Sequence, residues 1–226
     1  MNFDDKQFEQ LVKQSRRKRI LNTLFGSTLS VVILAAILLG GYLFYWNLGP
    51  FQGEKVSGVP NGQIRSFSAN EHGQASLLFD SFGSYGFNVR GKKITVYADY
   101  YEKDKLISHE EVFGIENEEV GMLSETLSWG VLSLNNQPKE VRIQLANTSG
   151  VSNAGFDFST FGDGKDFDAA SSGSNFIDNG ALLSNQRYIL QYWTTGDKVY
   201  VSPNIFEKDV LIESGKTVIL YFEVNE

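Results

Sequence analysis

Ile94-Thr95-Val96-Tyr97-Ala98-Asp99-Tyr100-Tyr101 is the stretch on which the fold class turns. β-Branched and aromatic side chains dominate it, and these fit a pleated, half-buried surface. Its alternation puts Val96, Ala98 and Tyr100 on one face and Tyr97, Asp99 and Tyr101 on the other. The run Glu102-Lys103-Asp104-Lys105 then turns the chain into Leu106–Phe113, the pattern of a hairpin.

The same period recurs outward in both directions. Upstream, Ala75–Asp80 and Gly86–Arg90 read as short strands. Downstream, Leu127–Leu134 meets the turn Asn135-Asn136-Gln137-Pro138 and then Glu140–Leu145, which alternates strictly. Gly155–Phe158 alternates too. Tyr188–Trp193 faces Val199–Ser202 across Thr194–Lys198, and Thr217–Val224 carries Val218-Ile219-Leu220-Tyr221-Phe222, a strand buried on both faces. Only Glu116–Thr126 has a weak helical pattern. Roughly eight to ten short strands separated by turns predict an all-β outer domain, a β-sandwich of immunoglobulin-like or jelly-roll type.

Charge divides the rest of the chain of 226 residues. Net charge is −7, yet residues 1–19 carry a net +3, and not one charged residue occurs from Ile20 to Gly53. The acidic balance of the remainder argues against a nucleic-acid partner, which would need a basic face. Zero Cys excludes disulfides, thiolate metal sites, cysteine nucleophiles and lipidated-cysteine anchors.

Residues 20–46 read as a transmembrane α-helix. At about 1.5 Å per residue they span more than the roughly 30 Å of bilayer hydrocarbon. Tyr42, Phe44, Tyr45 and Trp46 supply an aromatic belt at one end. A secretory h-region is only about 7–15 residues and ends in a small-residue cleavage site; here Ala35-Ala36 sits in mid-run, so an uncleaved signal-anchor is expected. Arg16, Arg17, Lys18 and Arg19, with Lys13, precede the helix, and positive flanks stay cytoplasmic. The expectation is a single-pass plasma-membrane protein, N-terminus cytoplasmic and C-terminal domain outside. Gly26/Ser30 and Ala36/Gly40 have the small-xxx-small spacing that lets helices approach closely.

In the basic tail, 1–19, Phe8, Leu11 and Val12 share one face of a short amphipathic helix. Such a face either lies on lipid as a topology signal or docks a cytosolic partner. The arrangement resembles the N-terminal part of membrane-bound anti-sigma-type regulators of Gram-positive bacteria, in which a short charged tail precedes one span. The resemblance stops with the span and implies a cytosolic regulator on the Phe8/Leu11/Val12 face. Residues 47–62, rich in Gly and Pro, read as a linker that stands the 63–226 domain off the bilayer.

Catalytic motifs fail. Gly215-Lys216-Thr217 mimics the end of a P-loop, but position 210 is Val and a strand follows, so the tripeptide reads as a hairpin turn. Gly150-Val151-Ser152-Asn153-Ala154-Gly155 is one residue too long for a nucleophile elbow, and His72 and His109 lie far apart as surface residues. The chain is therefore not expected to be an enzyme. Two binding features stand out. Asp163, Asp166, Asp168 and Asp178 offer hard oxygen ligands of the kind Ca²⁺ takes, at spacings that fail the EF-hand pattern; no other cofactor is implied. Tyr97, Tyr101 and Trp193 form an aromatic platform able to hold a sugar ring or a protein partner. The function expected is that of a membrane-anchored extracytoplasmic binding or interaction module of a bacterial cell envelope. The alternative is an anti-sigma-like transmembrane regulator with an outer sensor and a docking tail.

Overall fold

A computed structural model describes residues 5–67, 78–135, 137–161, 167, 172–174, 177, 179–196 and 203–226. The chain forms two compact units, Met1–Tyr45 and Trp46–Glu226.

The first unit is a single helix, α1 (Asp5–Tyr45). The tail and the apolar segment, expected as separate elements, are continuous because nothing between them breaks a helix: there is no Pro before Pro50, and Arg16–Arg19 are good helix formers. Val12–Tyr45 is long and apolar enough to cross a membrane. Four of its hydroxyls are satisfied locally. The hydroxyls of Thr23, Ser27, Thr28 and Ser30 donate to carbonyls three or four residues back at 2.8–2.9 Å, which removes free donors from an apolar surface.

The second unit is built on antiparallel β structure. Its strands are β1 (Gln63–Ser66), β2 (Ser81–Glu102), β3 (Lys105–Leu134), β4 (Gln137–Asn147), β5 (Gly150–Asp157), β6 (Ser172–Ser174), β7 (Gly180–Ala181), β8 (Tyr188–Thr194) and β9 (Lys216–Asn225). They form one hydrogen-bonded sheet in the order β5-β4-β3-β2-β9-β8-β6, with β1 beside β2 and β7. The strands are not all short. β2 has 22 residues and β3 has 30. Gly86–Arg90 and Ile94–Tyr101 are two halves of β2, and Glu116–Thr126, with its weak helical pattern, runs inside β3 as strand. Pairing with β2 overrides the local pattern there.

One irregularity lets such long strands serve two halves of a core. Gly91 opposes Gly121 and Lys93 opposes Glu116, so Asn117–Val120 face Lys92 alone. A bulge of this kind bends its strand and increases the local twist. Below it, β2 pairs with β1 and with the half of β3 that carries β4; above it, β2 pairs with β9. The sheet thereby curls over its own apolar face. Phe158, just after β5, meets Trp193 of β8 at 4.7 Å between ring centres, and Phe87 of β2 stacks on Phe222 of β9 at 6.0 Å. Leu127, Trp129, Ile143, Leu145, Leu220 and Phe222 complete this main core. β9 is buried on both faces, as its sequence predicts.

A smaller core lies on the opposite side of β2, β8 and β9. There Tyr101, Tyr192, Ile219 and Tyr221 are covered by Ile205 and by Leu211 of a short helix, α2 (Lys208–Ser214). The expected hairpin turn at Gly215-Lys216-Thr217 is instead the exit from α2. Gly215 takes φ +74° there, a conformation that favours glycine, and β9 begins at the next residue.

The segment 47–62 is no free tether. Asn88 of β2, fully buried, accepts from Val56 N at 2.8 Å and donates to the Val56 and Val59 carbonyls at 2.9 and 2.6 Å. Asn47 donates to the same Val59 carbonyl at 2.7 Å, and the Arg65 guanidinium sits 4.8 Å over the Trp46 ring. Glycine and proline here build a sequence of tight turns on the sheet rather than a flexible spacer. Gly49, Gly53, Gly58 and Gly62 all have positive φ.

Candidate functional site

The strand registers place two rows of side chains on the face of β2–β5 turned away from the main core. One row is Phe82, Gly130, Arg142 and Gly155; the other is Ser84, Ser128, Gln144 and Asn153. The intervening row of Gly83, Trp129, Ile143 and Ala154 alternates to the other face. Together with Phe79 and Asp157 these residues line a groove of about 940 Å³.

Glycine lets neighbouring groups close in on the floor of this groove. At Gly130 the Phe79 ring lies where a side chain would start, 2.6 Å from the position of a Cβ. Gly155 meets the Val141 carbonyl of β4 so closely that no Cβ fits. Around that floor stand paired polar groups. The Ser84 and Ser128 hydroxyls are 2.8 Å apart, Gln144 donates to Asn153 at 3.0 Å, and Arg142 Nε donates to Glu140 at 2.9 Å. Asp157 accepts from the Ser159 amide at 2.7 Å, and hydrogen bonds from Ser159 hold its carboxyl below the usual carboxylate value. The groove thus offers hydroxyls, amides, one ion pair and the aromatic edges of Phe79 and Phe82.

A second cluster surrounds Asp99, which is 1% exposed. Its Oδ1 lies 2.6 Å from His109 Nδ1, and its Oδ2 accepts from the Tyr101 and Tyr221 hydroxyls at 3.3 Å each. The His109 ring stacks on Tyr97 at 4.7 Å, and Arg187 lies 5.1 Å over Tyr221. Burial, with the Asp99 charge second, raises both tyrosines above their ordinary value of 10.0.

The aromatic platform is brought together only in part. Tyr97 and Tyr101 share the outer face of β2, as their alternation predicts, but the α2 layer covers Tyr101. Trp193 points the other way. It is 2% exposed in the main core, edge-on to Phe158, because Tyr192 takes the outer position on β8. On α1, Phe8 and Val12 are exposed, whereas the Leu11 side chain lies outside the described residues. Arg16, Arg17, Lys18 and Arg19 are exposed along α1, and Trp46 opens the β unit under Arg65. Asp163, Asp166, Asp168 and Asp178 lie outside the described residues. Among the described residues no three His, Asp or Glu side chains converge as a metal-binding group. The sequence reading missed the groove. The signal it left is glycine at Gly130 and Gly155, within strands where bulky residues would otherwise pack.

No family model, no curated protein and no solved structure matches this chain.

Proposed function

We propose that this chain is a single-pass, membrane-anchored binding module of a bacterial cell envelope, with α1 as the anchor and the β unit outside the cytoplasm. Its binding surface is the β2–β5 groove, and its ligand is an extended, hydroxyl- and amide-rich polymer of the envelope. We read the curled sheet as a two-layer sandwich of the immunoglobulin-like or jelly-roll kind, with the groove on the outer face of one layer. The observation that carries the reading is the groove itself. Its ladder of Ser84, Ser128, Gln144 and Asn153 sets hydrogen-bonding groups whose partners are each other along an open groove, beside Phe79 packed on Gly130. The apolar length of α1 and the cations that precede its apolar run support the anchored state. The reading assigns no reaction to the site.

Co-sedimentation of the full chain, held in lipid nanodiscs, with insoluble cell-wall glycan tests it. A Gln144→Ala/Arg142→Ala variant should bind at least tenfold more weakly than the parent. Equal binding by the two would end the groove reading. A second reading, a transmembrane regulator of the anti-sigma-like kind, is favoured by the exposure of Phe8 and Val12 on α1. It requires a cytosolic protein that is crosslinked by the full chain and not by one lacking residues 2–15.

A further inference from the structure

We propose that β5 is the edge through which two copies of this chain pair, antiparallel and centred on Asn153. Among the described residues β5 pairs with β4 alone, and Val151 on it is 58% exposed. An open edge presents unpaired amides and carbonyls to any other strand, and proteins normally blunt it with charge, Pro, a bulge or shortness.

Among the described residues, two long strand segments lack a neighbour on one side, and only one of them is blunted. The outer edge of β3 from Lys105 to Glu116 has no strand beside it among the described residues, and it carries Glu110, Glu111 and Glu116, with Glu118 and Glu119 in the adjoining bulge. Two such edges repel each other. β5 has none of these devices before its last residue, Asp157. No charged residue or proline occurs from Thr148 to Phe156, and the register with β4 runs unbroken from Asn147↔Gly150 to Glu140↔Asp157.

The partner is argued from charge and from self-fit. The chain beyond residue 19 is strongly acidic, so two copies repel overall, whereas Gly150–Phe156 of β5 carries no charge to add to that repulsion. Antiparallel neighbours must oppose residues of the same hydrogen-bonding type, which allows a two-fold axis through one residue. With the axis at Asn153, Ser152 opposes Ala154 and Val151 opposes Gly155. Gly155 is the position where the Val141 carbonyl forbids a side chain, so each exposed Val151 lies over the other copy's bare backbone. No two charged residues meet. One eight-residue strand buries less than the roughly 1,200 Å² of a standard interface, so the pairing is reversible and concentration-dependent.

The absence of native cysteine makes the test direct. Full-length Asn153→Cys, oxidised in detergent micelles, should give a disulfide-linked dimer at least tenfold faster than Glu118→Cys on the acidic edge. Adding Val151→Lys to the Asn153→Cys chain should slow that crosslink at least tenfold. Equal rates at positions 153 and 118 would overturn the proposal. So would an undiminished crosslink with Lys at 151, a dimer by sedimentation equilibrium that forms without crosslinking at 153, or crosslinking only to a different protein. The comparison of the two cysteine sites stands even if the lysine variant folds poorly.

Discussion

Asp99 on β2 and His109 on β3 stand directly opposite each other, and the carboxylate meets the ring nitrogen Nδ1 at 2.6 Å. The carboxylate is all but removed from water, while the ring is 48% exposed. Three side chains therefore replace water around one buried charge: His109, Tyr101 and Tyr221. Asp99→Ala strips both tyrosyl hydroxyls of this acceptor, and a buried unsatisfied group costs about 1–3 kcal/mol. A destabilisation of about 3 kcal/mol is expected in urea unfolding, with Asp99→Asn losing less because it keeps an acceptor oxygen. Equal stability of Asp99→Ala and the parent would show that the cluster contributes nothing.

The same cluster sets an alkaline limit. Burial first, and the Asp99 charge second, raise the Tyr221 and Tyr101 ionisations above 10.0. A group whose folded value is raised lends stability that is fully present below its unfolded value and is lost as pH rises through the folded one. Stability should accordingly hold up to about pH 10 and fall steadily above it. Tyr221→Phe removes one of these ionisations, so its urea midpoint should decline less steeply between about pH 10 and 11.5. Tyrosinate absorbance followed over the same range checks which residues titrate.

Much of the fold was legible because alternation is a local signal. Ile94–Tyr101, Glu140–Leu145 and Thr217–Val224 all lie in strands, and the turn at Glu102–Lys105 joins β2 to β3 as read. What was illegible depends on partners distant in sequence. Gly91 and Lys92 look like a strand break until Asn117–Val120 are seen to bulge opposite Lys92, so one strand reads as two. Gly49, Gly53 and Gly58 look like a tether until Asn88, some 30 residues on, is found holding the Val56 and Val59 backbone. Tyr101 and Trp193 both look presentable on strands. Which face is covered depends on α2, whose seven residues carry too short a pattern to announce a helix. The groove exists only where four strands align, and its glycines are informative only in that register.

Glu125 faces the main core between Leu123 and Leu127 and is 5% exposed. Asn147 donates to its Oε1 at 2.9 Å, and its Oε2 is without a partner among the described residues. Burial raises its carboxyl above the ordinary 4.5, an effect the Asn147 bond only partly offsets. The sign here favours the protonated form in the fold. The Glu125 contribution is complete below pH 4.5 and lost as pH rises through the raised value. Glu125→Gln should therefore stabilise the chain at pH 7 by about 1 kcal/mol and change little at pH 4. Destabilisation at pH 7 would mean that the charge has a use the geometry does not reveal.

Asn88 ties the 46–62 segment to β2 with three hydrogen bonds from one buried amide. Asn88→Ala removes all three bonds, leaving the half-buried Val56 amide and carbonyl without this partner while the Val59 carbonyl keeps Asn47. At about 1 kcal/mol per lost bond, a cost of about 3 kcal/mol is expected. The readout that separates local from global damage is limited proteolysis. Cleavage near Lys55 should quicken well before the β unit as a whole becomes susceptible, whereas simultaneous loss of both would make the segment part of the same cooperative unit.

The orientation we propose rests on the cations rather than on α1's length. Lys13 and Arg16–Arg19 precede the apolar run, and near an anionic inner leaflet each is worth about 1 kcal/mol. Reversing the helix would carry all five across the hydrocarbon and place the acidic β unit inside. Because the chain lacks cysteine, Lys13→Cys and Ile212→Cys each give a single probe, one on α1 and one exposed on α2. In intact cells a membrane-impermeant maleimide should label position 212 and spare position 13 until the membrane is opened. Labelling of position 13 alone would invert the topology. Labelling of neither before lysis, and of both after it, would mean that α1 leaves the β unit in the cytoplasm, and the envelope function proposed for the groove would fall with it.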